Sequence, residues 1–340
     1  MTVLHNKVDK RVLREALAKE SFKRKTISFY RYFQIEEPDS YRNLLFEVLN
    51  KWIVFGRIYV AKEGINAQIS IPEHHWEDFV NFVKRQKEFE GLRLNLAVED
   101  DGKSFYKLII KVRDKIVADG LTDESFDASN VGNHLDAEAF NKAIENGANV
   151  VDMRNHYESE VGHFKGAICP DSDTFKDELP MVLDILKNKE DEKVLLYCTG
   201  GIRCEKASAY LKHKGFKDVN QLYGGIIHYA REIKEKGLEN KFIGKNFVFD
   251  ERLGERISSE VISNCHQCEL KADTHTNCKN EMCHILFIQC EKCKSKFDGC
   301  CSKECQKIHN LPLEDQKILR KKHVKAKSNI YKKGRLRPKL

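Results

Sequence analysis

The stretch KVLLYCTGGIRC, residues 193–204, decides the fold at the centre of this chain. Its apolar run VLLY, at 194–197, predicts a short buried strand, and the sequence EKASAYLKHKG that follows the stretch has a helical pattern. Cys198 is therefore expected where a strand turns into a helix. Gly200 and Gly201 allow the backbone to curl at this point, so that N–H groups of the loop and of the helix N-terminus surround the sulfur.

Those surroundings predict a reactive thiolate. Backbone N–H groups lower the pKa of a thiol, and Arg203 adds a permanent charge and a fork of donors suited to oxyanions. We interpret Cys198 as a catalytic nucleophile. The residues expected to form a substrate or oxyanion cradle are those that follow it in the loop: Thr199, Gly200, Gly201, Ile202 and Arg203. The alternative is a buried core cysteine that ends a strand, but a core thiol requires neither the glycines nor the arginine.

Cys204, directly after Arg203, has two interpretations. It is a candidate resolving thiol, which would form a disulfide with an oxidised or persulfidated Cys198. Alternatively, its side chain points into the first turn of the helix and takes no part in the chemistry, because adjacency in sequence does not fix side-chain direction.

The loop C-T-G-G-I-R resembles the active-site loop of the rhodanese family, in which the cysteine carries a persulfide. Two further stretches resemble motifs that flank this loop in the family: VVDMRNHYESEVGHFKGAICP at 150–170 and LYGGIIHY at 222–229. The loop runs six residues from cysteine to arginine, whereas phosphatases built on this fold have a loop one residue longer. The resemblance therefore implies sulfur chemistry rather than phosphate ester hydrolysis.

Length and composition indicate a protein of several domains. The chain has 340 residues, enough for two or three domains, and its 41% of apolar residues suffice for their cores. It has 33% charged residues, no run of ~18 to 20 apolar residues and no secretory apolar core, so we expect a cytoplasmic protein that does not enter a membrane. Twelve cysteines in that compartment indicate metal binding and catalysis rather than disulfides.

The net charge of +7 is concentrated in the tail, residues 311–340. Eleven Lys or Arg residues there stand against two acidic ones, so the tail carries +9 and the rest of the chain −2. Such a block is either a solvated chain end or a segment attracted to nucleic-acid phosphates.

The predicted elements divide the chain into five parts, and the expected fold class is a multidomain combination of α/β and α+β structure. We expect an N-terminal ferredoxin-like α+β domain at 1–120, a linker at 121–134, a central rhodanese-like α/β domain with a parallel sheet at 135–240, a cysteine-rich zinc-binding module at 241–310 and a basic tail at 311–340.

In the N-terminal part, the pattern predicts helices packed on one face of an antiparallel sheet. The polar loop KEGIN, at 62–66, is either a hairpin turn or a loop that contacts substrate. The aromatic residues of the first strand are expected in the core, although exposed ones would stack on bases: Phe29, Tyr30, Tyr32 and Phe33.

In the central part, strands alternate with helices, which predicts a parallel sheet with its site at the C-terminal ends of the strands. Cys198 follows one such strand, and Asp152 and Arg154 follow another. The latter two are interpreted either as neighbours of the site or as a buried ion pair that orders the domain.

Nine cysteines fall within the 41 residues 265–305. Pairs in C-x-x-C spacing about twenty residues apart are typical of zinc modules, because two such knuckles complete a tetrahedron. The plainest assignment is one structural zinc ion on Cys265, Cys268, Cys290 and Cys293. The candidate ligands of a second are Cys278, Cys283, Cys300 and Cys305, with Cys301 as the alternative to Cys300. Three histidines are possible substitutes for a cysteine ligand: His266, His275 and His284. The alternatives to zinc are an iron–sulfur cluster and a set of cysteines that form disulfides or are redox-active.

Together, the ferredoxin-like front, the sequence CTGGIRCEKA and the C-terminal pattern HILFIQCEKC…GCCSKEC resemble the rhodanese-domain tRNA uridine hydroxylases over roughly residues 25–310. The resemblance implies oxygen-dependent hydroxylation of the wobble uridine of tRNA at ring carbon 5, giving 5-hydroxyuridine. It also implies molecular oxygen as co-substrate, an unidentified reductant, and the anticodon loop of tRNA, not DNA, as partner.

The sequence contains no flavin fingerprint, haem motif or recognisable facial iron triad. We therefore expect the Cys198 thiolate, or its persulfide, to add to carbon 6 of uracil and to make carbon 5 reactive towards an oxygen donor. Arg203 and the loop N–H groups would stabilise the developing oxyanion. Two other classes stay open: a rhodanese-type sulfurtransferase that carries a persulfide on Cys198, and a non-catalytic RNA-binding module stabilised by zinc.

Overall fold

The computed structural model describes residues 8–122 and 126–325, the last four of them by backbone alone. It contains a five-stranded mixed sheet, a four-stranded parallel sheet, and a cysteine-rich C-terminal part with a three-stranded and a two-stranded antiparallel sheet. The multidomain α/β and α+β fold class is confirmed. No helix in the described part of the chain is long and apolar enough to cross a membrane.

The N-terminal part is a ferredoxin-like sheet with helices on one face. Its elements are α1 (Lys10–Ala18), β1 (Arg24–Tyr32), α2 (Pro38–Lys51), β2 (Phe55–Ala61), β3 (Gly64–Pro72), α3 (Trp76–Arg85), β4 (Asn95–Leu96) and β5 (Leu108–Val112). The strand order is β4–β1–β3–β2–β5. All neighbours are antiparallel except β5, which pairs with β2 in parallel, a departure from the fully antiparallel sheet that we expected.

The two faces of this sheet differ because side chains alternate along each strand. Ile27 and Phe29 of β1 and Ile65 and Ala67 of β3 face the core against α2 and α3. The intervening residues of β1 and β3 face the centre of the molecule, and they are mostly polar. The aromatic side chains of β1 therefore lie on both faces of the sheet. Phe29 is in the core, as expected, but its neighbour Tyr30 belongs to the polar face.

The central part is a four-stranded parallel sheet in the order β6–β10–β9–β7. Its elements are β6 (Asn133–Leu135), α4 (Ala137–Glu145), β7 (Asn149–Asp152), α5 (His156–Ser159), β8 (Gly162–Phe164), α6 (Phe175–Ile185), β9 (Lys193–Tyr197), α7 (Ile202–His213), β10 (Asp218–Leu222) and α8 (Gly225–Lys236). Apolar side chains of α6 and α7 cover one face of the sheet, and those of α4 and α8 cover the other.

The C-terminal part is joined to the central one by a small antiparallel sheet. Its elements are β11 (Phe242–Asn246), β12 (Glu255–Arg256), β13 (His275–Asn277), β14 (Leu286–Ile288), α9 (Glu291–Lys296), α10 (Lys303–His309) and α11 (Leu313–Lys325). β11 lies between β8 and β12. The predicted basic tail overlaps α11, and its remainder, 326–340, lies outside the described residues.

Candidate active site and metal centres

Cys198 lies in the turn between β9 and α7, where the sequence placed it. Gly201, with φ of +103°, curls the chain so that its backbone N–H donates to Sγ of Cys198 over 3.1 Å. A side chain rarely adopts that backbone angle, so this position favours glycine. The Cys198 side chain is 1% exposed, and it reaches the floor of an internal cavity.

The two sulfurs of the loop have opposite acidities. Burial opposes ionisation of Cys198, but hydrogen bonds from Cys204 and from backbone N–H groups, together with the charge of Arg203, lower its pKa to about 6. Burial raises the pKa of Cys204 well above its usual value, and the hydrogen bond to Cys198 and the charge on that sulfur raise it further. Cys198 is therefore the thiolate, whereas Cys204 is a thiol, fully buried in the core beneath α7 and absent from the cavity lining. Its role as a resolving thiol stays a prediction.

Arg203 lines the cavity, but its donor fork is engaged by a buried carboxylate. Its Nη1 and Nη2 donate to the two carboxylate oxygens of Glu158 over 2.6 and 2.9 Å. Glu158 is fully buried at α5, within the flanking motif 150–170. We expected the fork to face an oxyanion; instead, its positive charge acts on the Cys198 sulfur while its hydrogen bonds fix the loop.

The second flanking motif supports the loop from the other side. At the start of α8, Ile226 and Ile227 donate backbone hydrogen bonds to the carbonyls of Cys198 and Thr199 over 3.0 and 3.2 Å. A Cβ atom on Gly225 would lie 2.6 Å from the Cys198 carbonyl oxygen. Glycine is required there because α8 approaches the loop backbone so closely.

The cavity above Cys198 has a volume of about 430 Å³ and walls from three parts of the chain. The polar face of β1, β2 and β3 forms the roof, residues 116–118 form one side, and residues 248–255, after β11, form the other. At its mouth, Arg57 donates to the carbonyl of Phe249, whose side chain is 43% exposed. Both residues also line a larger outer cleft of about 1060 Å³.

The roof carries polar groups directed at the cavity. Ser28, Tyr30, Asn66 and Gln68 line it, and Gln68 Nε2 donates to Asn66 Oδ1 over 2.6 Å. The Ser28 hydroxyl is buried and has no hydrogen-bond partner among the described residues. Asn66 belongs to the predicted KEGIN loop, but the structure places it within β3, so the loop itself is the hairpin turn that was one of its two interpretations.

An ion-pair cluster holds the roof over the thiolate. Lys206 of α7, 4% exposed, lies 2.6 Å from the Glu63 carboxylate in the β2–β3 turn and 3.8 Å from Asp119. Because Lys206 is one turn after the Cys198 loop, these contacts fix the distance between the N-terminal sheet and the loop.

Asp152 and Arg154 form a buried ion pair, the structural one of our two interpretations. Arg154 Nη2 lies 2.7 Å from Asp152 Oδ2, and neither side chain is exposed. The Tyr197 hydroxyl donates to the same carboxylate over 2.7 Å. Neither residue of the pair lines the Cys198 cavity.

The C-terminal cysteines form two clusters, each able to hold a metal ion. The first comprises Cys265, Cys268, Cys290 and Cys293, as predicted. The second comprises Cys278, Cys283, Cys301 and Cys305. The structure brings Cys301, the alternative to Cys300, into this cluster, and Cys300 packs fully buried beside it. The spacing of the cysteines alone could not tell which of these two adjacent side chains faces the other three.

The sulfur geometry fits a tetrahedral ion. A tetrahedron with metal–sulfur bonds of about 2.3 Å has sulfurs about 3.8 Å apart. The Cys268–Cys290 sulfurs are 3.6 Å apart, and those of Cys283–Cys301 and Cys301–Cys305 are 3.7 and 3.5 Å apart. These distances are far longer than a disulfide bond, and all twelve cysteines are free. Neither cluster contains a histidine.

The sequence analysis did not predict three contacts around the site: the ion pair of Glu158 with Arg203, the ion pair of Glu63 with Lys206, and the position of Tyr30 in the cavity roof. Glu158 lies in a motif that we quoted, but nothing in its spacing indicates that it meets Arg203. For Tyr30 a signal existed, since β1 alternates Ser28, Phe29, Tyr30, and only the middle residue fits an apolar face.

Three family models match consecutive parts of the chain. The UPF0176 acylphosphatase like domain matches residues 24–116, the Rhodanese-like domain residues 136–232, and the Rhodanase C-terminal model residues 243–306.

Curated proteins are similar over nearly the whole chain. A protein of Leptospira interrogans named tRNA uridine(34) hydroxylase is 54% identical over 99% of this chain and 92% of its own length. Proteins of the same name from Photorhabdus laumondii and Yersinia enterocolitica are 53% and 54% identical, each over 94% of this chain and 92% of their own length. At such identity and coverage, family membership is shown.

Proposed function

Since the chain belongs to the tRNA uridine(34) hydroxylase family, we propose that it hydroxylates the wobble uridine of tRNA at ring carbon 5 through the Cys198 thiolate. The observation that carries the role of Cys198 is a sulfur with a pKa of about 6 on the floor of a cavity with a polar roof. A sulfurtransferase is not favoured, because the relatives that match over almost the full length carry the hydroxylase name.

The cavity supports the binding of a single base. A uracil ring presents two carbonyl acceptors and one N–H donor, which the amides of Asn66 and Gln68 and the hydroxyl of Ser28 are able to match. At the mouth, Arg57 meets a flanking phosphate and exposed Phe249 stacks on a neighbouring base. The anticodon loop is the part of tRNA that offers an unstacked uridine, and the outer cleft is its docking site. This activity belongs in the cytoplasm.

The first step is addition of the Cys198 sulfur to carbon 6 of the uracil. An S–C6 bond forms, the C5=C6 double bond breaks, and negative charge develops on C5 and on O4. The loop N–H groups stabilise that charge, with the Arg203 cation behind them. C5 then takes one atom of molecular oxygen. A reductant supplies two electrons, and with two protons the second oxygen atom leaves as water.

We infer that Cys204 is a resolving thiol, since it is buried near the Cys198 sulfur and stays protonated. When Cys198 is oxidised to a sulfenic acid, the Cys204 sulfur attacks the Cys198 sulfur, the S–O bond breaks and the oxygen leaves as water, which gives a disulfide. The external reductant then supplies two electrons, and with two protons both thiols are restored. Cys204→Ser is expected to reduce hydroxylation less than loss of Cys198 does.

We assign zinc to both cysteine clusters, with a structural role. Four thiolates leave no open position for water, and the first cluster packs through Cys265 and Cys293 against Tyr157, next to Glu158. Zinc would thus stabilise the α5 segment that holds Arg203. Metal analysis tests this assignment, since iron would give a visible charge-transfer band and zinc would not.

The experiment that tests the function compares nucleosides from tRNA of cells with and without this protein, grown under ¹⁸O₂. A hydroxylase predicts a uridine heavier by one ¹⁸O atom, present only with the protein. A hydroxylated uridine without ¹⁸O would overturn the proposal and indicate an oxygen atom derived from water. A thiolated nucleoside that disappears without the protein would overturn it in favour of a sulfurtransferase.

A further inference from the structure

A chain of hydrogen bonds leads from the Cys198 cavity to the surface. The Tyr30 hydroxyl donates to Glu205 Oε1 over 2.8 Å, and His134 Nε2 lies 3.0 Å from the same oxygen. Gln221 donates to Glu205 Oε2 over 2.9 Å and also contacts His134, at 2.7 Å. The Glu205 side chain is 12% exposed and that of His134 is 37% exposed. The chain therefore begins in a closed site and ends in solvent.

The inner end of this chain lies against the thiolate loop. Tyr30 lines the cavity together with Cys198. Its hydroxyl oxygen is 2.8 Å from where a Cβ atom of Gly201 would be, and Gly201 is the residue whose N–H binds the Cys198 sulfur. Glycine at that position thus lets the phenol approach the loop, so that a substrate bound to the sulfur lies within reach of Tyr30.

The protonation states of Tyr30 and Glu205 determine how a proton moves along these hydrogen bonds. Burial, and then the neighbouring Glu205, raise the pKa of Tyr30, which stays a phenol. Burial alone would raise the pKa of Glu205, but the hydrogen bonds from His134, Gln221 and Tyr30 lower it, so that Glu205 is a carboxylate. Tyr30 is a neutral phenol that donates its proton to the Glu205 carboxylate. When its oxygen accepts a second proton, its own proton moves to that carboxylate. A proton that reaches the Tyr30 oxygen would therefore be replaced by one passed on to Glu205.

We propose that Tyr30, Glu205 and His134 form the exit route for the C5 proton of uracil in the step that releases product from Cys198. This inference rests on the proposed function, since the step follows the attachment of oxygen to C5. The C5–H bond breaks and its electron pair forms the C5=C6 double bond. The C6–S bond breaks and returns a thiolate to Cys198. The proton goes to the Tyr30 oxygen while the Tyr30 proton moves to Glu205 and on to His134 and water. No electrons are gained or lost, because the step is an elimination.

Tyr30→Phe tests the inner end of the route. We expect hydroxylation by the variant to slow by roughly 10²-fold, the usual contribution of a positioned acid or base. A covalent complex of tRNA with Cys198 should accumulate and be visible after denaturing electrophoresis. With tRNA deuterated at C5 of the wobble uridine, the variant should show a larger rate decrease than the wild-type protein, since breaking the C5–H bond limits its rate.

Tyr32→Phe is the matched control. Tyr32 lies on the same strand, two residues from Tyr30, but it does not line the cavity, and its buried hydroxyl has no hydrogen-bond partner in the described part of the chain. The control variant should keep the wild-type rate, form no lasting complex and show no added isotope effect.

His134→Ala tests the outer end, where the side chain is partly exposed and its loss leaves the core intact. The variant should be slower, and added imidazole should restore its rate, which a merely structural role would not allow. The inference is overturned if Tyr30→Phe keeps the wild-type rate, or is slow without a covalent complex and without the deuterium effect. Loss of the proposed function shows differently: hydroxylation would then persist in Cys198→Ala.

Discussion

At the scale of single residues, the proposed chemistry involves two cysteines, Cys198 and Cys204, with opposite acidities. Both are buried, and burial alone would make both weak acids. Cys198 is the exception because the hydrogen bonds and the arginine charge around it favour the thiolate. The charge of Arg203 also lowers the pKa of Cys204, but burial, the hydrogen bond to Cys198 and the charge on that sulfur raise it more, so Cys204 stays a thiol.

The acidity of Cys198 has a measurable consequence. Since its pKa is lowered to about 6, the thiolate fraction rises as pH passes upward through about 6 and is nearly complete at neutral pH. The rate at which iodoacetamide alkylates Cys198, measured by peptide mass spectrometry, should therefore be half-maximal at about pH 6 and constant above about pH 7. Cys204 serves as an internal control and should not react across this range. A midpoint near about 8.5, the value of an ordinary thiol, would contradict the account.

Glu158 is predicted to stabilise the fold through Arg203. Glu158→Gln leaves a buried guanidinium without its counter-charge, which typically costs about 3 to 5 kcal/mol, so the urea midpoint measured by circular dichroism should fall markedly. Asp191→Asn is the control, since the Lys217–Asp191 pair is largely exposed and its removal should change little. If the two variants unfolded at the same midpoint, the buried pair would have no structural importance.

At the scale of elements, local patterns explain why much of the fold was predictable. The strand before Cys198 and the helix after it came from apolar runs and helical periodicity, and both exist as β9 and α7. The sequence left Cys300 and Cys301 as alternatives because a count of residues does not give the direction of a side chain, and the structure places Cys301 in the cluster.

That choice provides a test with two adjacent variants. Cys301→Ser removes a ligand of the second cluster, so metal analysis of the purified protein should find about one ion per chain in place of two. Cys300→Ser changes a buried neighbour that is not in the cluster, and it should keep both ions. If the Cys301→Ser protein kept two ions and the Cys300→Ser protein lost one, Cys300 would be the ligand instead of Cys301.

At the scale of the whole molecule, the site is made by contacts that local sequence patterns do not encode. Tyr30 and Glu205 are 175 residues apart in sequence, and Glu63 and Lys206 are 143 residues apart. These contacts decide which face of the N-terminal sheet closes over the thiolate. The identity of the family followed from motifs, but the roof of the cavity required the tertiary structure.

The basic tail is predicted to contribute electrostatic attraction to tRNA. Residues 326–340 contain lysines and arginines and no acidic residue. Their removal should weaken binding and reduce the slope of log Kd against log salt by about 0.7 to 0.9 for each phosphate that the shortened protein no longer neutralises. Replacing the same lysines and arginines by glutamine, at full length, should give the same change. An unaltered slope in filter-binding titrations would mean that the tail does not touch the tRNA.

The central claim is that Cys198 performs the hydroxylation of the wobble uridine. The most direct measurement is mass spectrometry of tRNA nucleosides from cells that lack this protein and carry a plasmid for the wild type, Cys198→Ala or Cys204→Ser, at matched protein levels. The account predicts 5-hydroxyuridine with the wild type, a reduced amount with Cys204→Ser and none with Cys198→Ala. Wild-type amounts of 5-hydroxyuridine with Cys198→Ala would contradict it.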